Sequence, residues 1–122
     1  MPPTKKILII DDQEMFVKMV SNRLSHSGFT VVSADNGEKG LAVAKKEKPD
    51  LILLDVMMPG MDGYTMLLEL KKEESIKNTP IIIVTCKEDM KDLFAAVGVY
   101  DYLIKPFDFE VLLMQIKKLL KI

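Results

Sequence analysis

The sequence predicts an α/β domain: a parallel β-sheet with helices packed on both faces. Two observations predict it. Short apolar runs, unbroken by polar residues, recur along the chain, as in strands covered on both sides. Between them lie longer segments whose apolar residues recur at helical spacing, set off by glycine, proline and asparagine.

Taken in order, Ile7-Leu8-Ile9-Ile10 is the first buried run, and Asp11-Asp12 ends it. From Glu14 to Ser25 the residues Met15, Phe16, Met19, Val20 and Leu24 keep helical spacing, and Gly28 sits where a helix stops. Thr30 to Ala34 reads as a second strand, Asp35-Asn36-Gly37 as a turn, and Gly37 to Lys46 as a helix closed by Pro49. Leu51-Ile52-Leu53-Leu54 is a third strand ending in Asp55. Pro59, Gly60 and Gly63 mark a loop before a helix over Tyr64 to Glu74. Ile81 to Val84 is a fourth strand, ended by Thr85. A helix is expected from about Glu88 to Val97, with Gly98 as its stop. Tyr102-Leu103-Ile104 is a fifth strand, ended by Lys105-Pro106. A last helix from Phe107 to Ile122 carries an apolar face of Val111, Leu112, Ile116, Leu119 and Leu120.

Composition narrows the function. The 122 residues suit one domain with one sizeable core, and no repeat, linker or low-complexity stretch divides 1–122. A net charge of −1 gives no basic footprint for direct nucleic-acid binding, and the pair Lys5-Lys6 is too short to supply one. The single cysteine, Cys86, excludes an intrachain disulfide and a CxxC metal site, and is expected to be a small buried hydrophobe. The start, Met1-Pro2-Pro3-Thr4, lacks the features of a signal peptide, and no apolar run reaches the length of a membrane span. The expectation is a cytoplasmic protein without membrane contact.

Ligands of open parallel sheets bind beyond the carboxyl ends of the strands. Asp11-Asp12, Asp55, Thr85 and Lys105 all stand at strand ends, so carboxylates, a hydroxyl and an ammonium converge on one edge. Clustered acids repel one another unless a positive group stands among them. Lys105 answers part of that charge and a hard divalent cation such as magnesium, which prefers oxygen ligands, answers the rest. A carboxylate such as Asp55 can then serve as a nucleophile toward a phosphoryl group, with Thr85 hydrogen-bonding a phosphoryl oxygen.

These residues carry a resemblance. Ile9-Ile10-Asp11-Asp12, the run from Leu53 through Asp55 to Pro59 and Gly63, Thr85, and Tyr102-Leu103-Ile104-Lys105-Pro106-Phe107 together resemble the receiver domain of two-component response regulators, of the single-domain chemotaxis type. The resemblance spans essentially the whole chain, 1–122. It implies a five-stranded parallel sheet of order 2-1-3-4-5. It implies Asp55 as phospho-acceptor and a magnesium ion held by Asp11, Asp12, Asp55 and the backbone carbonyl of Met57, with Asp12 the direct ligand and Asp11 acting through water. Lys105 would pair with the phosphoryl group or Asp55, and Thr85 and Tyr102 would form a switch pair whose ring moves inward. The Lys105-Pro106 bond would be cis.

The same resemblance implies partners: a histidine kinase or phosphotransfer protein as donor, and an output protein on the face of the fourth helix, fifth strand and fifth helix. Lys91, Phe94 and Tyr102 are candidates for that face. It implies a signalling protein that catalyses only its own phosphoryl transfer and slow dephosphorylation. Three residues depart from the family's usual pattern: Cys86 after Thr85, Tyr100 before Lys105, and apolar Met57 two residues past Asp55. All three bear on the lifetime of the phosphorylated state. The methionines at 57, 58, 61 and 66 read as loop and core filler, and His26 as a solvent-facing residue.

Other readings fit less well. An aspartyl-phosphate phosphatase of the haloacid dehalogenase kind needs a second aspartate where Met57 stands. A flavodoxin-like flavin binder needs an anion loop after the first strand, where Asp11-Asp12-Gln13-Glu14 repels phosphate. A degenerate receiver would lack some of the acid, hydroxyl and lysine set, which is complete here.

Overall fold

Five β-strands alternate with five α-helices in a computed structural model that describes residues 4–99 and 101–122. The N-terminal leader reading at Met1-Pro2-Pro3 and the departure at Tyr100 lie outside the described residues. The elements are β1 (Lys6–Ile10), α1 (Glu14–His26), β2 (Thr30–Ala34), α2 (Gly37–Glu47), β3 (Leu51–Leu54), α3 (Gly63–Lys71), β4 (Ile81–Thr85), α4 (Lys91–Ala96), β5 (Tyr102–Ile104) and α5 (Phe109–Leu120). All strand pairs are parallel, in the order β2-β1-β3-β4-β5. The order implied by the resemblance is the order observed.

The unbroken apolar runs have a direct explanation. Successive side chains in a strand point to opposite faces. Leu8, Ile10, Ile52, Leu54, Ile81 and Ile83 pack with Ala44 of α2, Met66, Leu67 and Leu70 of α3, and Phe94 of α4. Their neighbours Ile7, Ile9, Leu51, Leu53, Ile82 and Val84 pack with Val20 and Leu24 of α1 and Leu112 and Ile116 of α5. Both faces of the sheet are therefore dry, and α2, α3 and α4 lie opposite α1 and α5.

Several helix bounds differ from expectation by a residue or more, and three of the differences have a clear local reason. α3 stops at Lys71 rather than Glu74, because i→i+3 bonds from Lys72 and Glu73 tighten its end and the chain then turns to bury Ile76. α4 begins at Lys91 rather than Glu88. The Lys87 amide donates to Thr85 Oγ1 at 3.4 Å and the Lys87 carbonyl accepts from the Tyr102 hydroxyl, so the backbone there is engaged by side chains. α5 begins at Phe109 rather than Phe107, after Asp108 in extended conformation, and Phe107 packs edge-on against Phe16 at 6.2 Å.

Burial corrects two further expectations. Cys86 is exposed, not buried, because it is the first residue past the end of β4. Phe94 is fully buried, with its ring against Tyr64 at 5.7 Å and Tyr102 at 6.0 Å, and so cannot belong to a partner face. On α1, Met15 and Met19 are exposed although they share the helical spacing of the core residues Val20 and Leu24. Met58 and Met66 are core and Met57 is exposed, so the methionine cluster is divided between the two roles. His26 is exposed, as expected.

Phe94 sits where α4, α3 and β5 meet. Phe94→Ala is expected to cost about 3–5 kcal/mol of stability, read as a lowered urea midpoint at unchanged m-value.

Candidate functional site

Sheet register builds the site. Ile10 pairs with Leu54, so the residues that follow them, Asp11 and Asp55, leave neighbouring strands side by side. The Asp55 amide donates to the Ile10 carbonyl at 3.0 Å and the Asp11 amide to the Ala34 carbonyl at 3.1 Å, which extends the ladders to these tips. On the other flank Thr85 pairs with Ile104, and the Lys105 amide donates to the Thr85 carbonyl at 2.8 Å. Lys105-Pro106 is a cis bond, as expected.

The carboxylates of Asp11, Asp12 and Asp55 each bring an oxygen within 4.8 Å of the others. Asp11 is 3% exposed and Asp55 5%, while Asp12 is open to solvent. The Lys105 ammonium enters between them. It donates to Asp11 Oδ2 at 2.7 Å and lies 3.5 Å from Asp55 Oδ2. Asp55 Oδ1 accepts from the Met57 amide at 3.2 Å, which leaves the Asp55 carboxylate only lightly held. Thr85, fully buried, stands at the neighbouring strand tip.

Burial, the largest influence, pushes the Asp11 carboxyl above the usual carboxylate range. The hydrogen bond from Lys105 and the Gln13 amide draw it back, and the Asp55 charge adds to the rise. One ammonium against three carboxylates leaves a surplus of negative charge. The donor set is all oxygen, which suits magnesium. Asp11 Oδ1 is taken by the Gln13 amide at 2.9 Å and Oδ2 by Lys105, whereas the Asp12 carboxylate has no hydrogen-bond partner among the described residues. The residues present fit the ion, with Asp12 the carboxylate most available to it.

Tyr102 was expected to move inward. Its ring is already buried against Phe94, and its hydroxyl donates to the Lys87 carbonyl. Burial is also the first cause that holds the Tyr102 hydroxyl above the usual tyrosine range, with Asp89 and Asp55 adding to it.

Asp11, Asp12, Asp55 and Lys105 are thus together, with Thr85 at the neighbouring strand tip. Residues 7–117 match the family model described as the response regulator receiver domain. The chain belongs to this family. Protein PilH of Pseudomonas aeruginosa is 38% identical over 117 residues, which cover 94% of this chain and 97% of that protein. A probable transcriptional regulator, ycf27, of Porphyridium aerugineum is 40% identical over 119 residues, 96% of this chain but 48% of that protein. The chain spans about half the length of several such curated relatives. Among solved structures, the response regulator TrrA of Thermotoga maritima in complex with Mg(2+)-BeF superposes with a TM-score of 0.86 at 29% identity, covering 95% of this chain and 99% of that one. Receiver domains of this family are signalling switches rather than enzymes that turn over an external substrate. No described helix of this receiver is long and apolar enough to cross a membrane.

Two residues of the site were missed. Gln13 Oε1 accepts from the Lys105 ammonium at 2.7 Å, and the Phe16 ring centroid lies 4.0 Å from the same nitrogen. Phe16 reads from sequence as a core residue of a helix, and a glutamine after two acids carries no signal of its own.

The loop from Asp55 to α3 depends on Gly63. Its amide donates to the Val56 carbonyl at 3.0 Å, and a Cβ there would lie 2.5 Å from the Asp55 carbonyl oxygen and 2.7 Å from Val56 Cα. These are backbone atoms and cannot step aside. Gly63→Ala is expected to cost about 1–3 kcal/mol and to displace Asp55, read as a lower Tm together with shifted amide resonances for residues 55–57.

Proposed function

We propose that this receiver is a magnesium-dependent phospho-acceptor switch in a two-component phosphorelay, with Asp55 as the acceptor. The observation that carries the reading is the buried Asp55 carboxylate beside Asp11 and Asp12 and within 3.5 Å of the Lys105 ammonium.

Asp12, Asp11, Asp55 and the Met57 carbonyl would hold magnesium. When bound, the ion neutralises charge on the site and on the incoming phosphoryl oxygens. The remaining steps belong to the chain. An Asp55 carboxylate oxygen forms a bond to phosphorus, the bond from phosphorus to the donor's imidazole nitrogen breaks, and that nitrogen keeps the electron pair. Lys105 then pairs with a phosphoryl oxygen, and the Thr85 hydroxyl donates to another. The donor is a histidine kinase or a phosphotransfer protein.

The added charge biases Thr85 and Tyr102, and through them α4, β5 and α5. Tyr102 links the site to this face, since its hydroxyl bonds the loop before α4 and its ring packs on Phe94. Lys91 and Leu93 on α4 and Met114 on α5 are exposed and available to an output protein, in place of the buried Phe94. Slow loss of the phosphoryl group resets the switch.

Incubation with magnesium and acetyl phosphate is expected to add the mass of one phosphoryl group. Asp55→Asn and excess EDTA should each abolish the gain, as read by intact mass spectrometry. An unmodified wild-type protein under these conditions would refute the proposal. Thr85→Ala is expected to leave phosphorylation largely intact but to blunt the response of Tyr102, read by NMR with and without beryllofluoride. A normal Tyr102 response would remove Thr85 from the switch.

A further inference from the structure

The Lys105 ammonium is within reach of Asp55 but is held more closely by other groups. A lysine ammonium has three N–H donors. The two short bonds of Lys105, both 2.7 Å, go to Asp11 Oδ2 and Gln13 Oε1, while Asp55 Oδ2 is at 3.5 Å, the outer limit of a hydrogen bond. The Phe16 ring, 4.0 Å away, covers another side within cation–π range. Among the described residues, the closest contacts of the Lys105 ammonium thus come from the tip of β1 and the start of α1 rather than from Asp55.

Gln13 is placed as if for this contact. It is the N-cap residue of α1, yet its side chain makes no capping bond. Serine, threonine, aspartate or asparagine would satisfy that helix end better. The glutamine amide instead reaches across 92 positions of sequence to Lys105.

We propose that Gln13, supported by Phe16, is a positioning residue that latches Lys105 away from Asp55 in the resting protein, so that an incoming phosphoryl group must displace the latch. The inference rests on the phospho-acceptor reading above. A phosphoryl group carries between one and two negative charges at neutral pH, far more attraction for an ammonium than a neutral amide offers. The ion pair with Asp11 can persist when Lys105 turns, so the amide contact is the one exchanged. A bond made only in the resting form weakens the response to the ligand by its own worth, and removing it strengthens that response.

Beryllofluoride, a stand-in for the phosphoryl group, provides the test. At saturating magnesium, calorimetry on Gln13→Ala should show binding about threefold to tenfold tighter than wild type. Phe16→Leu, which keeps bulk but loses the ring face, should shift affinity the same way. In a Lys105→Ala background, Gln13→Ala should change nothing, because the residue acts only through that lysine. Unchanged or weaker binding by Gln13→Ala would overturn the latch, as would a gain that survives without Lys105. Wild-type protein that binds no beryllofluoride would remove the phospho-acceptor reading itself, and the latch with it.

Discussion

Crowded negative charge is the constraint on which the rest of this molecule turns. Asp11 and Asp55 are buried at adjacent strand tips, with Asp12 beside them. Two like charges 4.8 Å apart repel by about 3 kcal/mol at an effective dielectric of about 20. A fold does not bury such a group without a counter-charge, and Lys105 supplies one, itself largely buried. It comes from the far flank of the site, beyond β4, and spans 94 positions of sequence to reach Asp11. The sheet is what permits this. Only parallel strands in the order β2-β1-β3-β4-β5 deliver these groups at one edge, and the dry layers on both faces fix the strands in register.

The turn after Asp55 is held to the same tolerance. Gly63 lets the first turn of α3 touch the backbone of Asp55 and Val56. Asp62 caps that helix through its side chain, accepting from the Thr65 amide at 2.8 Å. Asp55 is thus pinned from behind by backbone contacts, while among the described residues its carboxylate makes one bond shorter than 3.5 Å, to the Met57 amide. A rigid base under a lightly held carboxylate is what a nucleophile requires: a fixed position and an available lone pair.

Much of this was legible in the sequence because strands ending in acids, a hydroxyl and a lysine make an edge that strand direction alone brings together. The five strands fall where the apolar runs stand. Less legible were the places where a side chain overrides local pattern. α4 starts late because Thr85 and Tyr102 engage the Lys87 backbone, a contact between distant residues that no window of sequence shows. Phe94 reads as a surface residue on a short helix until its aromatic neighbours on α3 and β5 are known. Cys86 follows a buried strand by one residue, and burial ends there. The contacts of Gln13 and Phe16 likewise depend on a partner 92 residues or so away, and appear only in three dimensions.

The sheet divides the interior into two separate apolar compartments. Tyr102 and Phe94 belong to the compartment under α2, α3 and α4, whereas Phe16 and Phe107 belong to the one under α1 and α5. Lys105 touches the second through Phe16, and Thr85 neighbours the first through the Lys87 loop that Tyr102 holds. Under the proposed phosphorylation, one charge event at the rim would therefore have two mechanical outlets on opposite sides of a stiff wall. Substitutions on one side would then retune what approaches the protein while the reading of its state on the other side is left as it was.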